Sequence, residues 1–220
     1  EYSVFHKDNL VKYDAILFNN TTHLVFQNDT QRDAMLDFLK QGKGVAGIHA
    51  ASDNFYKWKT AARMVGGQFD GHPWGAGGTW SFKLDDPKHT LNRAFMGNGF
   101  WLKDEIYQYK PGTFVGEDEI RILISLDLTK SQTMGPLKRN EGLRKQYTKG
   151  GRYVPVSWLR KFQGGRVFYT NFGHNESTFW NPGVIKHCLD GLQYALGDLT
   201  ADATPTSKIK RTAVLAPAKP

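Results

Sequence analysis

The chain has 220 residues, of which 40% are hydrophobic and 23% are charged, and its formal net charge is +8. This length and composition indicate a globular protein with a sizeable core, and they exclude an intrinsically disordered chain. The single cysteine, Cys188, excludes an intrachain disulfide and leaves the compartment open between the cytoplasm and an exported or periplasmic bacterial location. No apolar run approaches the roughly 18 residues that a membrane-spanning helix needs.

The positive charge is concentrated in two segments. Residues 128–152 hold seven Lys and Arg against one Glu, and residues 201–220 hold four against one Asp, so the rest of the chain is close to neutral. Blocks of charge usually face water, and no recognition motif accompanies these residues. We therefore interpret the basicity as surface charge, with a lid beside a cleft as an alternative for residues 128–152, and predict no nucleic-acid partner.

The first half of the chain predicts alternating strands and helices. Residues 13–19 have the continuous apolar centre of a strand that is buried on both faces. Asn28 is a candidate N-cap for a helix whose apolar residues recur at helical spacing, and residues 44–49 predict a second buried strand. A second helix is predicted over residues 55–65. This order predicts an α/β fold with right-handed crossovers.

The second half predicts more strands and one long helix. The predicted strands are 79–84, 105–109, 120–125, 154–158 and 166–170. The polar, glycine-containing residues 128–152 predict a long basic loop. The last helix is predicted from Pro182 to about Leu196, with Ile185, Cys188, Leu189, Leu192 and Ala195 on its apolar side. We expect a single domain over residues 1–198 and a flexible basic tail over residues 199–220.

His49 is the first candidate functional residue. It lies among small residues in the segment Gly47-Ile48-His49-Ala50-Ala51, at the end of a predicted strand. A tight strand-to-helix turn of this kind presents its central side chain at the carboxyl end of the sheet. Histidine there can act as a general base, a general acid or a metal ligand, and a buried structural histidine is the alternative.

Three further groups are candidates for the same site. His174 also follows a predicted strand, at the edge where open α/β sheets bind ligands. His72 lies in a rigid turn before Trp74, which offers an aromatic plate for a sugar ring, although an ordinary surface turn explains the pattern equally well. Glu105 is a candidate base, ligand or ion-pair partner. Three histidines and a carboxylate leave a divalent metal open as a cofactor, but no local ligand spacing marks such a site.

Taken in order, several segments resemble the ThuA-like (trehalose-utilisation) family. The matching segments are residues 13–22, 42–53, 67–73, 86–90, 104–107, 155–158, 165–170, 173–174 and 191–195. Each segment alone is weak evidence for the family. The ordered set is specific for it and spans about residues 10 to 198.

The resemblance implies a flavodoxin-like three-layer α/β sandwich with a mostly parallel sheet and added β-strands. This fold is related to class I glutamine amidotransferases, which carry a cysteine nucleophile where this chain carries His49. Glutamine hydrolysis is therefore not expected. The family normally opens with a strand and a histidine-bearing loop, and we find neither before Tyr13.

The resemblance also implies a role in disaccharide breakdown. The family is linked to 3-keto-sugars made by partner sugar dehydrogenases. On this basis the expected catalytic residues are His49, His72, Glu105 and His174. The expected substrate-binding residues are Asp53, Trp74, Tyr169, Asn175 and Trp180. Isomerisation, elimination and hydrolysis are all compatible with these residues. The sequence is also compatible with an oligomer. The alternative function is a non-catalytic carbohydrate-binding module of a larger exported protein.

Overall fold

The computed structural model describes residues 2–148 and 154–219 and contains a seven-stranded sheet. The strands are β1 Ala15–Asn19, β2 Gly44–Ile48, β3 Thr79–Leu84, β4 Phe100–Lys103, β5 Arg121–Leu126, β6 Pro155–Phe162 and β7 Gly165–Thr170. Their order is β1-β2-β7-β6-β5-β3-β4. The pairs β1–β2 and β2–β7 are parallel, and the remaining neighbours are antiparallel. The predicted α/β fold is confirmed, although the sheet is mixed rather than mostly parallel.

Six α-helices accompany the sheet in the described part of the chain. They are α1 Lys7–Leu10, α2 Asp29–Lys40, α3 Lys59–Val65, α4 Ser131–Arg139, α5 Glu141–Thr148 and α6 Pro182–Leu196. The side chain of Asn28 caps α2 by accepting a hydrogen bond from the Gln31 amide, an interaction worth about 1 kcal/mol. Asn181 caps α6, whose first residue is a proline. None of these helices is long and apolar enough to cross a membrane.

The sheet is covered on both faces, as a three-layer sandwich requires. Phe168 and Tyr169 are neighbours on β7, and alternate residues of a strand point to opposite faces. Phe168 accordingly packs in the hydrophobic cluster that includes Cys188 of α6, whereas Tyr169 packs in the cluster that includes Met35 of α2. The carboxyl ends of β2 and β7 lie side by side because these strands run parallel.

Three predictions about burial and helix bounds need correction. Residues 13–19 are not buried on both faces, because β1 is an edge strand and Leu17 is 41% exposed. Leu17 borders an open apolar groove of about 260 Å³ with Ile185 and Leu189, two residues of the predicted apolar side of α6 that are exposed in the structure. The helix predicted from residue 55 begins only at Lys59.

The predicted strand 105–109 is not a strand. The segment makes two isolated bridges, Trp74 with Ile106 and Phe69 with Tyr109. The amide of Tyr107 donates instead to the side chain of Asn171. The amides of Ile106 and Gln108 do donate to the main-chain oxygens of Trp74 and Gly71, but the pairing is limited to isolated bridges and forms no regular strand.

The predicted basic loop is also different in the structure. Residues 131–148 form α4 and α5, and residues 149–153 lie outside the described residues. Leu137 and Leu143 are buried and anchor these helices to the core. Apolar anchors of this kind are easily overlooked in a segment dominated by charge.

The described part of the predicted flexible tail is packed against the sheet. Val214 exchanges main-chain hydrogen bonds with Leu84 of β3. Arg121 binds the carboxylates of Asp86 and Asp202, which ties the start of the segment to β5. An extended segment that is held by main-chain hydrogen bonds and ion pairs shows no hydrophobic periodicity in its sequence.

Candidate functional site

Three histidine side chains from three separate segments meet around the carboxylate of Glu105. Nδ1 of His174 lies 3.1 Å from Oε2, Nδ1 of His72 lies 3.3 Å from Oε1, and Nε2 of His49 lies 3.6 Å from Oε2. The structure therefore brings together all four residues that were predicted to be catalytic. We call these four residues the histidine–glutamate cluster.

The turn after β2 places His49 at the floor of the cluster. His49 has φ 45° and begins a short 3₁₀ helix that runs to Ser52. A left-handed conformation costs a residue with a Cβ on the order of 1 kcal/mol. A Cβ at Gly47 would lie 2.9 Å from Cβ of Ala51, so the turn closes only because this position has no side chain. These constraints direct the imidazole to the carboxyl end of the sheet.

Hydrogen bonding and burial define the state of His49. Its Nδ1 lies 2.7 Å from the main-chain oxygen of Asn171, so Nδ1–H donates and Nε2 carries the lone pair. Burial lowers the pKa of His49 to about 4, although the Asn171 carbonyl and the charge of Glu105 oppose this shift. Nε2 is buried and has no hydrogen-bond partner among the described residues. His49 is therefore neutral near pH 7, with an unshared lone pair in the cluster.

Asp104 holds the loop that carries His174. Its two carboxylate oxygens accept hydrogen bonds from the amides of Gly173 (2.8 Å) and Asn175 (2.9 Å). Burial raises the pKa of Asp104, and these main-chain donors act against the rise. Because Glu105 is the next residue, one short segment positions both the loop and the central carboxylate. The sequence showed the two adjacent acids but did not reveal this positioning role for Asp104.

Tyr169 and Asn175 support the site rather than facing a ligand. Tyr169 is fully buried, and its hydroxyl donates to the main-chain oxygen of His49 at 2.8 Å. The side chain of Asn175 donates to the main-chain oxygens of Ala76 and Lys103. In this structure both side chains therefore act on the backbone of the site, in contrast to the predicted contact with substrate.

The two tryptophans occupy different environments. Trp74 is fully buried, and its indole N–H donates to the main-chain oxygen of Thr133 at 2.8 Å. It is a core residue, so the predicted stacking plate at this position is wrong. Trp180 ends the 3₁₀ helix Glu176–Trp180 and is 72% exposed.

A second polar group surrounds Asp53, which was predicted to bind substrate. Its carboxylate accepts hydrogen bonds from the hydroxyls of Thr22 and Tyr56. Tyr107 packs on the ring of His49 at 4.3 Å, and burial together with the charges of Glu105 and Asp53 raises the pKa of Tyr107. Tyr107 therefore contacts the histidine–glutamate cluster and lies close enough to Asp53 to be influenced by its charge. Sequence analysis did not single out Thr22, Tyr56 or Tyr107 as site residues, although Thr22 and Tyr107 lie in two of the family-like segments.

The cluster has a buried side and an open side. The side chains of His49 and Glu105 are 3% and 10% exposed, whereas those of His174 and His72 are 44% and 57% exposed. A ligand from solvent would thus meet the outer imidazoles first and the carboxylate next. Ligand atoms of His49, Glu105 and His174 all lie within 4.8 Å of one another, so this trio is also able to hold a metal ion. The arrangement suits proton transfer and the polarisation of an oxygen atom.

Comparisons with known proteins agree with the fold. The model of the ThuA family, described as trehalose utilisation, matches residues 1–195. A ThuA-like protein from Bacteroides uniformis ATCC 8492 has a TM-score of 0.60 and 20% identity, over 89% of this chain and 74% of that one. A ThuA-like protein from Parabacteroides merdae ATCC 43184 has a TM-score of 0.60 and 16% identity, over 98% and 81%. Among curated proteins none matches.

Proposed function

Because the chain belongs to the ThuA family, described as trehalose utilisation, we propose that it is a carbohydrate-processing enzyme. Its substrate would be a disaccharide-derived sugar or a 3-keto-sugar, and its chemistry would be proton transfer by histidine and carboxylate groups. A 3-keto-sugar implies a partner dehydrogenase that oxidises the corresponding hydroxyl group beforehand. Family membership supports the carbohydrate-related role, and the substrate and reaction are our proposals.

One observation carries the proposal. Three imidazole nitrogens lie between 3.1 and 3.6 Å from the oxygens of a single carboxylate, Glu105, in a site that is open on one side. A purely structural ion pair needs one histidine beside one carboxylate. Several groups that can exchange protons within this distance are typical of acid–base catalysis.

The proposed chemistry follows from the acidity that a ketone confers on the neighbouring C–H bond. A base removes this proton, and the electron pair of the C–H bond moves towards the ketone oxygen as an enolate forms. A donor beside that oxygen stabilises the negative charge. Isomerisation, elimination of a glycosidic leaving group, and hydrolysis after elimination all begin with this step.

The two sides of the cluster suit the two roles. Glu105 and the unshared Nε2 of His49 are basic atoms on the buried side. His72 and His174 are the exposed imidazoles, so they are placed to donate to a substrate oxygen. Asp53 and Tyr56 would contact sugar hydroxyls beyond Tyr107, because both carry polar atoms and Tyr56 is partly exposed.

The test follows proton abstraction directly. The protein is incubated in D₂O with 3-keto-trehalose or a 3-keto-glucoside, and NMR measures both product and exchange of the C–H beside the ketone. Glu105→Gln is expected to slow exchange by about 10²-fold or more. His6→Ala, which changes an exposed histidine outside the cluster, is the matched control. Unchanged exchange in both His49→Ala and His174→Ala would contradict the residue assignment.

The alternative is a non-catalytic carbohydrate-binding module. The exposure of Trp180 favours it, because an exposed indole can stack on the C–H face of a sugar. This alternative predicts sugar affinity without exchange or turnover, and it predicts that Trp180→Ala weakens binding more than His174→Ala does. The same NMR samples therefore separate the two functions.

A further inference from the structure

We propose that His49, Glu105 and His174 form a binding site for a divalent transition-metal ion, and that Zn²⁺ is the ion they fit best. The inference depends on coordination chemistry and not on the identity of the substrate. It therefore goes beyond the proposed function, although both concern the same side chains.

The first argument is the orphaned nitrogen of His49. Its Nδ1–H donates to the carbonyl of Asn171, which fixes the tautomer and leaves a lone pair on Nε2. That atom is buried and has no hydrogen-bond partner among the described residues. Leaving a buried acceptor unsatisfied is unfavourable. A metal ion beside Nε2 would accept this lone pair and remove the penalty.

Glu105 does not act as a hydrogen-bond partner for Nε2 of His49. Oε2 of Glu105 lies 3.6 Å from Nε2 of His49, which is longer than a hydrogen bond. Nδ1 carries the proton that the Asn171 carbonyl accepts, so the buried Nε2 of the neutral ring is the atom left to act as a ligand. Neutral imidazole is the form that binds metals.

The second argument is the spacing of the ligand atoms. Zn–N and Zn–O bonds of about 2.0–2.1 Å in a tetrahedral site place ligand atoms about 3.3 Å apart. Oε2 of Glu105 lies 3.1 Å from Nδ1 of His174 and 3.6 Å from Nε2 of His49. All three ligand atoms fall within 4.8 Å of one another. Small side-chain adjustments would therefore bring them around one ion.

The third argument is the donor set and its openness. Two histidines and one glutamate, with a fourth position open to water or substrate, are typical of catalytic zinc sites. The open position would lie towards solvent, where the side chain of His174 is 44% exposed. A structural zinc site would have a fourth protein ligand instead.

The fourth argument is the support behind each ligand. The Asn171 carbonyl orients His49, and Asp104 holds the amides on either side of His174. Nδ1 of His72 lies 3.3 Å from Oε1 of Glu105, the oxygen that the trio does not use. Metal sites generally have outer partners that orient each ligand in this way. With the ion bound, His49, Glu105 and His174 would serve as ligands in place of their proposed proton-transfer roles, the metal would polarise a substrate oxygen, and His72 would remain as the proton carrier.

The test measures metal binding itself. The untagged 220-residue chain is stripped with a chelator, dialysed and titrated with Zn²⁺ by calorimetry. We expect one Zn²⁺ per chain and a higher unfolding temperature in its presence, because a ligand that binds only the folded state stabilises it. Co²⁺ titration is expected to give the intense visible absorption of a tetrahedral site. The absence of saturable binding would overturn the proposal.

Variants locate the site. His174→Ala and Glu105→Gln remove ligands near the surface and are expected to weaken Zn²⁺ binding at least about 100-fold. His72→Ala is expected to weaken it about 10-fold to 100-fold, as outer partners do. His6→Ala should bind like the unmodified protein. Unchanged affinity in both His174→Ala and Glu105→Gln would overturn the proposal, whether or not His49→Ala folds.

The two proposals fail in different ways. Stoichiometric Zn²⁺ binding without exchange of any 3-keto-sugar would contradict the proposed function and leave the metal site standing. Exchange that persists after chelation, in a protein that binds no Zn²⁺, would contradict the metal site and leave the proposed function standing.

Discussion

His49 and His187 are two buried histidines in different regions of the molecule. Their environments are alike except for the contact that Nε2 makes. In each, Nδ1 lies 2.7 Å from a main-chain carbonyl oxygen, and burial lowers the pKa to about 4. Nε2 of His187 lies 2.8 Å from Oγ of Ser157, deep between β6 and α6. Nε2 of His49 has no such partner among the described residues and faces Glu105. Burial and pKa alone therefore do not distinguish a structural histidine from a candidate functional one.

The largest effect is expected from His49→Ala. Loss of the Nε2 lone pair should lower the rate of exchange or turnover of a 3-keto-sugar by about 10²-fold to 10⁴-fold, equivalent to roughly 3–5 kcal/mol in the barrier. NMR exchange rates measure this change, with circular dichroism as the check on folding. A folded His49→Ala protein of full activity would remove the distinction between the two histidines.

His187→Ala is expected to act on stability instead. The change opens a cavity and removes one of the two hydrogen-bond partners of the Ser157 hydroxyl, so the free energy of unfolding should fall by about 3 kcal/mol. Urea denaturation measures this value. The folded fraction should keep its activity, and a folded variant that had lost activity would show that His187 also serves the site.

The pH dependence of stability should report on His187. Its pKa is lower in the folded state than in the unfolded chain, so the unfolded state binds the proton first on acidification. This contribution is present above pH 6.5 and is lost as the pH falls towards 4. It amounts to about 2 kcal/mol between pH 7 and pH 5.

Comparing the pH-dependent unfolding of the unmodified protein and of His187→Ala isolates the contribution of His187 to stability. The nearby charged groups are His89 and Asp190, which shift the pKa of His187 in opposite directions. Identical pH profiles in the two proteins would show that His187 is not buried in its neutral form.

Asp104→Asn tests whether Asp104 positions the loop that carries His174 on the open side of the cluster. Asparagine keeps one acceptor oxygen, so one of the two amide contacts to the His174 loop should be lost. We expect turnover to fall about 10-fold, or roughly 1.4 kcal/mol, with a smaller change in substrate affinity. A steady-state comparison of kcat and KM measures this split, and Asp14→Asn, at an exposed carboxylate, is the control.

The smallest effect is expected from Ser157→Ala, which makes His187 resemble His49. Removal of the hydroxyl leaves Nε2 of His187 without a partner and should cost about 1 kcal/mol of stability. Activity and Zn²⁺ stoichiometry should not change, because His187 is fully buried and lies outside the histidine–glutamate cluster. A second Zn²⁺ in this variant would contradict the importance we assign to the surrounding groups.

Sequence reasoning was most successful where the pattern is local. The helix from Pro182 to Leu196 was predicted because a first-turn proline, apolar periodicity and Gly197 act over one segment. The position of His49 was predicted because small residues mark a tight turn. The helices within residues 131–148 were missed because their few apolar anchors are hidden among basic residues.

The sequence by itself determined the alternation of strands and helices in the first half of the chain, the ends of the last helix and the turn that carries His49. Only the tertiary structure decided that His72, Glu105 and His174 meet His49, that Trp74 lies in the core, and that Asp104 holds a loop. Local patterns record the periodicity and turn chemistry of neighbouring residues. Convergence depends instead on strand pairing and loop contacts between segments far apart in the chain, such as the bonds from Asp104 to Gly173 and Asn175.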